Sequence, residues 1–209
     1  MTIQDHRTRV AAEKRERMRM RLIESALLVF SEKGVDAAVI DDVIAQAEVS
    51  RGTFYNYFAD RDVLLDAVVA HAVEQFAAAA AEHVDEPDPA ARFAIISARA
   101  LNAAARAPHT MRVAVRLDAV QRALVVDGPL SYLRLDLAEG YRKKRFTSPP
   151  DEGTLDVIVG AMLHATRRVL DGEADARYRA SVIRRMLMSL GLQADEALRL
   201  ARHGVAAAR

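Results

Sequence analysis

The chain has 209 residues, 51% of them apolar and 28% charged, a balance that suits a folded domain and argues against disorder. Its 30 Lys and Arg nearly cancel its 29 Asp and Glu, so bulk charge points to no particular partner. Cysteine is absent, which excludes a disulfide framework, thiol catalysis and zinc sites built on cysteine.

Charge is informative only locally. Arg7, Arg9, Lys14, Arg15, Arg17, Arg19 and Arg21 face only two glutamates over the same stretch. Two readings stand: a solubilising tail, or a disordered arm and first helical turns lying along phosphates or entering a neighbouring minor groove. The first thirty residues hold no apolar signal-peptide core. No run approaches the roughly 20 apolar residues that span a bilayer. The expectation is a cytoplasmic protein with no membrane partner.

Ile23, Ala26, Leu27 and Phe30 form one stripe of a helix over about 13–33, and Gly34 looks like its C-cap. A short helix follows over about 40–47, with Val43 and Ile44 inward. Ser50 suits the N-cap of another short helix, whose Phe54 and Phe58 read as core. Asp60 can cap a longer helix to about residue 83, with Leu65, Val68, Val69, Ala72 and Phe76 buried. Pro87 and Pro89 interrupt the pattern. Helical periodicity resumes over about 90–106 and 110–125, then through Leu130, Leu133, Leu137 and Tyr141, and over 151–170 and 174–190, with a last short helix at Leu198 and Ala201. Nothing alternates like a strand. The expected fold is all-α, with a small N-terminal unit over 1–62 and a larger helical bundle over 63–209.

The run Ile40-Asp41-Asp42-Val43-Ile44-Ala45-Gln46-Ala47-Glu48-Val49-Ser50-Arg51-Gly52-Thr53-Phe54-Tyr55-Asn56-Tyr57-Phe58, with Arg61 and Leu64-Leu65 after it, resembles the helix-turn-helix of the TetR family of bacterial repressors. Phe30 and Gly34 match the end of that family's first helix. Three places depart from the family pattern: Ala38-Val39 replaces a threonine pair, Ile44 an alanine, and Glu48 the glycine of the turn. A left-handed Glu48 would store roughly 1 kcal/mol of strain.

A helix-turn-helix lays its second helix in the major groove, N-terminal end toward the bases. The expected DNA-binding residues are therefore Ser50, Arg51, Gly52, Thr53, Tyr55, Asn56, Tyr57 and Arg61. Arg51 can read a guanine or clasp a phosphate, and Asn56 an adenine or a phosphate. The resemblance implies that Tyr57 and Arg61 serve the phosphate backbone. Any one aromatic here, taken alone, reads as plain packing; it is the cluster at a fixed offset from Val49-Ser50 that favours DNA.

The resemblance also implies a homodimer on a palindromic operator, seamed by the last two long helices at Ile158, Met162, Ala165, Val182 and Met186. The alternative is that the same stripes pack only inside one subunit; the helix over 151–170, apolar on more than half its surface, favours a second partner. An effector pocket is expected between the middle helices, with Phe93, Met111, Val115, Arg116, Leu133, Leu137, Tyr141, Met162, His164 and Thr166 as candidates, each also readable as ordinary core. The basic run Arg142-Lys143-Lys144-Arg145 reads as a solvated face or the pocket mouth.

No HExxH, Gly-rich phosphate loop or GxSxG is present, and the six histidines lack ligand spacing, so neither an enzyme nor a cofactor or metal site is expected. The reading is a repressor released from its operator by an unidentified small molecule. The alternatives are an activator of the same fold and a helical protein-interaction module.

Overall fold

The computed structural model describes residues 3–115 and 131–208, and every regular element among them is an α-helix. In chain order these are α1 (Ile3–Lys33), α2 (Ile40–Ala47), α3 (Arg51–Tyr55), α4 (Arg61–Ala81), α5 (Pro89–Arg106), α6 (Pro108–Ala114), α7 (Ser131–Arg142), α8 (Glu152–Leu170), α9 (Ala176–Ser189) and α10 (Ala194–Ala207). The helix expected over 110–125 is described only in its first part, as α6. The remainder of that helix, Arg116 and Leu130 lie outside the described residues.

Two elements exceed the sequence expectation. Helix α1 begins at Ile3, so the basic segment is a helix and not a disordered arm. Exposed i,i+3 and i,i+4 pairs accompany that extension, Arg9 with Glu13 at 3.7 Å and Arg19 with Glu16 at 3.5 Å. Helix α4 is long and apolar enough by composition to cross a membrane, contrary to the expectation that no run is. Its Leu64, Leu65, Val68 and Val69 are spent on the protein core.

Three apolar clusters organise the packing. The first joins Leu22, Ile23, Ala26 and Phe30 of α1 to Val43 of α2, Phe54 of α3 and the first half of α4. It also takes in Val113 of α6 and Val159 of α8, so the N-terminal unit and the bundle share a continuous core. The second cluster binds α5, α8, α9 and α10 through Phe93, Ala94, Ile158, Ile183, Leu187 and Ala201. There α10 lies so close to α5 that a Cβ on Gly204 would meet the Ala94 carbonyl oxygen at 2.6 Å. The third, smaller cluster holds Ala72, Ala104, Met111, Ala114 and Val115.

The seam residues expected on α8 and α9 need correction. Ile158, Ala165 and Met186 are at most 1% exposed in a single chain. Their stripe is consumed by the bundle's own core, and apolar spacing alone does not say which partner a stripe meets. Met162 and Val182 are only half-buried.

Candidate nucleic-acid interface

The turn between α2 and α3 is built by backbone hydrogen bonds. Glu48 ends α2 at φ 51°, ψ 46°. The Glu48 N–H donates to the Ala45 carbonyl at 3.2 Å and the Val49 N–H to the Ile44 carbonyl at 3.2 Å. That pair of bonds is a Schellman motif, and Val49 and Ile44 make its apolar closure against the first cluster. Glu48 is thus held left-handed without being glycine, as the resemblance required. Val39, before α2, offers no acceptor; the Asp42 carboxylate instead accepts from the Val39 N–H at 3.1 Å.

Ser50 caps α3. Its Oγ accepts from the Thr53 N–H at 3.0 Å and lies 2.9 Å from the Thr53 hydroxyl. Phe54 and Phe58 are buried on one side of α3 and fix its rotation. The other side is then open: Arg51, Gly52, Tyr55 and Asn56 are exposed, and Thr53 and Tyr57 half-exposed. Around Gly52 the nearest foreign atom to a built Cβ is Ser50 Oγ at 3.9 Å, so nothing in the chain itself demands glycine there. Arg51 pairs with Asp41 of α2, both side chains more than 60% exposed.

Arg61, expected on the phosphate backbone, also has a structural role. It is half-buried and donates to the backbone carbonyls of Val35 and, at 3.3 Å, Ala38, with its guanidinium 5.7 Å from the Phe30 ring centre. These bonds tie down the α1–α2 connection through Nε and one terminal nitrogen of the guanidinium. Helix α1 meanwhile approaches from the other side. Arg15 sits 5.9 Å from the Tyr57 ring and Arg19 5.8 Å from that of Phe58. Neither reading of these arginines, a solubilising tail or an arm and first helical turns along phosphates, includes this contact; their i,i+4 spacing is the available signal.

Away from this surface, α4, α5, α6, α7 and α8 line a half-open apolar cavity of about 160 Å³. Phe93, Met111, Val115, Leu133, Met162 and Thr166 of the expected pocket set line it. Leu137 packs in the second cluster, while Tyr141 and His164 are exposed, so none of these three reaches it. Ser97 lines it too and was not anticipated, although it shares a helical face with Phe93 and Ala100. Arg145, in the basic run, is half-buried against Asp88 at 2.7 Å and Glu196 at 2.8 Å, a structural clamp and not a pocket mouth.

A helix-turn-helix with its second helix exposed, joined through shared core to a cavity-bearing helical bundle, defines the class of protein. Known proteins agree. Residues 22–68 match the model of the bacterial regulatory proteins of the tetR family. The crystal structure of RolR in complex with resorcinol is 30% identical, with a TM-score of 0.73, over 91% of this chain and 95% of that one. The chain belongs to the TetR family. Among curated relatives, the transcriptional regulator LuxR of Vibrio harveyi is 37% identical over 79 residues, 38% of this chain and 37% of its own. The transcriptional repressor DhaR of Mycobacterium sp. strain GP1 is 38% identical over 45 residues, 22% of this chain and 23% of its own. The matched stretch thus spans well under half the length of these curated relatives.

Proposed function

We propose that the chain is a transcriptional repressor of the bacterial cytoplasm that grips a palindromic operator as a homodimer and lets go when a small molecule fills the cavity. Supporting this is the exposed surface of Arg51, Gly52, Tyr55 and Asn56 on a helix whose opposite side is locked into core. A free leading end on a rigid helix is what base-edge reading needs. Ser50, Thr53 and Tyr57 border that surface and are assigned to the phosphates flanking it. The domains act as a reading head over 1–62 and a sensing and pairing bundle over 63–209.

Coupling runs through α6. Val113 lies in the core shared with the reading head, while Met111, Ala114 and Val115 wall the cavity within the same two turns. A ligand that displaces α6 therefore moves the packing under α1 and α4. It shifts the population only insofar as it prefers one arrangement. For pairing, the free face of α8 supplies Val157, 54% exposed, beside Gly160 and Ala161, in place of the buried Ile158 and Ala165. Two-fold symmetry would set two copies of α3 about one DNA turn apart.

The test is selection of bound DNA from a random pool, followed by titration of the selected site. A two-fold-symmetric consensus, bound by dimers and lost in an Arg51→Ala/Tyr55→Ala variant of unchanged helicity, supports the proposal. A monomer in solution, or binding indifferent to that pair, defeats it.

A further inference from the structure

We infer that the cavity takes a single uncharged ring bearing hydroxyl groups, anchored by Ser97 and Thr166; this rests on reading the cavity as the effector site. Size is the first argument. At about 160 Å³ the cavity is close to engineered apolar cavities of about 150 Å³ that admit one benzene ring.

Chemistry narrows the choice. Phe76 and Phe93 offer aromatic surface, and Met111 and Met162 adapt to an irregular outline. Ser97 and Thr166 are the polar side chains among the described lining residues, and each is only 7% exposed. Neither hydroxyl is engaged by another described residue, whereas the Ser189 hydroxyl donates to the Met186 carbonyl at 2.7 Å. A hydroxyl in the cavity lining pairs well with a ligand group that both donates and accepts. A phenolic or alcoholic O–H does both. No cation stands among the described lining residues, which favours an uncharged ligand over a carboxylate or phosphate.

The experiment is calorimetric titration of the full chain with the three dihydroxybenzenes, phenol, toluene, benzoate and stearoyl-CoA. Dihydroxybenzenes should bind, while benzoate and stearoyl-CoA give no heat. Ser97→Ala and Thr166→Val should each weaken the best diol about tenfold and leave toluene unchanged. Neither variant should lower the melting temperature, because each removes a hydroxyl that holds nothing in the empty protein; a purely structural role would lower it. Ala100→Leu, which fills the cavity, should abolish binding with the fold intact. Equal binding of diol and toluene, diol binding indifferent to both hydroxyl variants, or no diol binding overturns the assignment. Operator titrations separate this from the regulator reading. Diol binding by a protein that holds no DNA would sink the regulator and spare the ligand class. Release of DNA by benzoate or stearoyl-CoA, without diol heat, would do the reverse.

Discussion

The Arg167 guanidinium donates a 2.8 Å hydrogen bond to the backbone carbonyl of Val115, at the end of α6 where the Val115 side chain enters the cavity wall. Arg112 reaches back from α6 to the Leu170 carbonyl at 3.4 Å. Helix α8 therefore holds α6 at its C-terminal end, and α6 touches both cavity and reading head. If this tether transmits the ligand signal, Arg167→Gln should leave operator affinity without ligand nearly unchanged and cut the ligand's effect on it. Allosteric couplings are about 1–3 kcal/mol, so the ratio of operator affinities without and with ligand should fall roughly tenfold. Titrating labelled operator with and without ligand measures that ratio. The same ratio in variant and parent would remove Arg167 from the pathway.

Arg51 is held in the free protein by Asp41 on the neighbouring helix. Both are exposed, so the pair adds little stability. Arg51→Ala should weaken operator binding by about 1–3 kcal/mol and relax preference at one base position. In that background Asp41→Ala should add nothing, because its partner is gone. Anisotropy titrations of the four proteins of this cycle give the answer. Full affinity in the Arg51 variant would mean that α3 does not read DNA through its leading turn.

Asp42 joins α1 to the start of α2, accepting from Lys33 Nζ at 2.6 Å and from the Val39 N–H at 3.1 Å. The Lys33 bond, and after it the Val39 bond, hold its carboxyl below the ordinary range against a smaller opposing effect of burial. A depressed folded pKa gives stability that is fully present above the unfolded value of about 4 and is lost as pH falls through the folded value. Melting temperatures of the parent and Asp42→Asn should therefore differ most near neutrality and converge below about pH 4. A gap that is constant down to pH 3 would show that the charge of Asp42 does not matter.

Glu48 carries a backbone strain that the sequence already announced. At φ 51° a residue with a Cβ pays a steric cost that glycine avoids. Its ion pair with Arg21, at 3.3 Å with both side chains largely exposed, returns little. Glu48→Gly should raise stability by about 0.5–1 kcal/mol, readable as a higher denaturant midpoint at unchanged slope. A lower midpoint would mean that the Arg21 contact outweighs the strain.

What was legible in the chain follows from how local each signal is. The Val49-Ser50 turn and the spacing of Phe54 and Phe58 fix α3 within a few residues, so the helix-turn-helix could be read directly. Helix α1 before Glu13 has no apolar stripe; what accompanies it is exposed charge pairs such as Arg9 with Glu13, which apolar periodicity does not register. Ile158, Ala165 and Met186 were visible as apolar, yet whether they face a second copy or their own core depends on distant helices. The structural bonds of Arg61 were not legible because its acceptors, the Val35 and Ala38 carbonyls, are backbone groups that no side-chain pattern reveals. Ser97 was hidden among alanines, and only the cavity gave it meaning.

The extension of α1 turns the question of its basic residues into one of helix face. Arg15 and Arg19 stand one turn apart on the side that meets Tyr57 and Phe58 of the reading head. Arg17, two residues from Arg15, is about 200° away round the helix. If α1 contributes to DNA binding, it does so through the face beside α3. Arg15→Gln should then lower the slope of log affinity against log salt by about 0.9, the value for one phosphate contact. Arg17→Gln makes the same change of charge on the opposite face and should leave the slope alone. Operator titrations across a series of potassium chloride concentrations distinguish the two. Equal small losses in both variants would mean that the segment acts only through its overall charge, and an unchanged slope in both would return it to a solubilising helix.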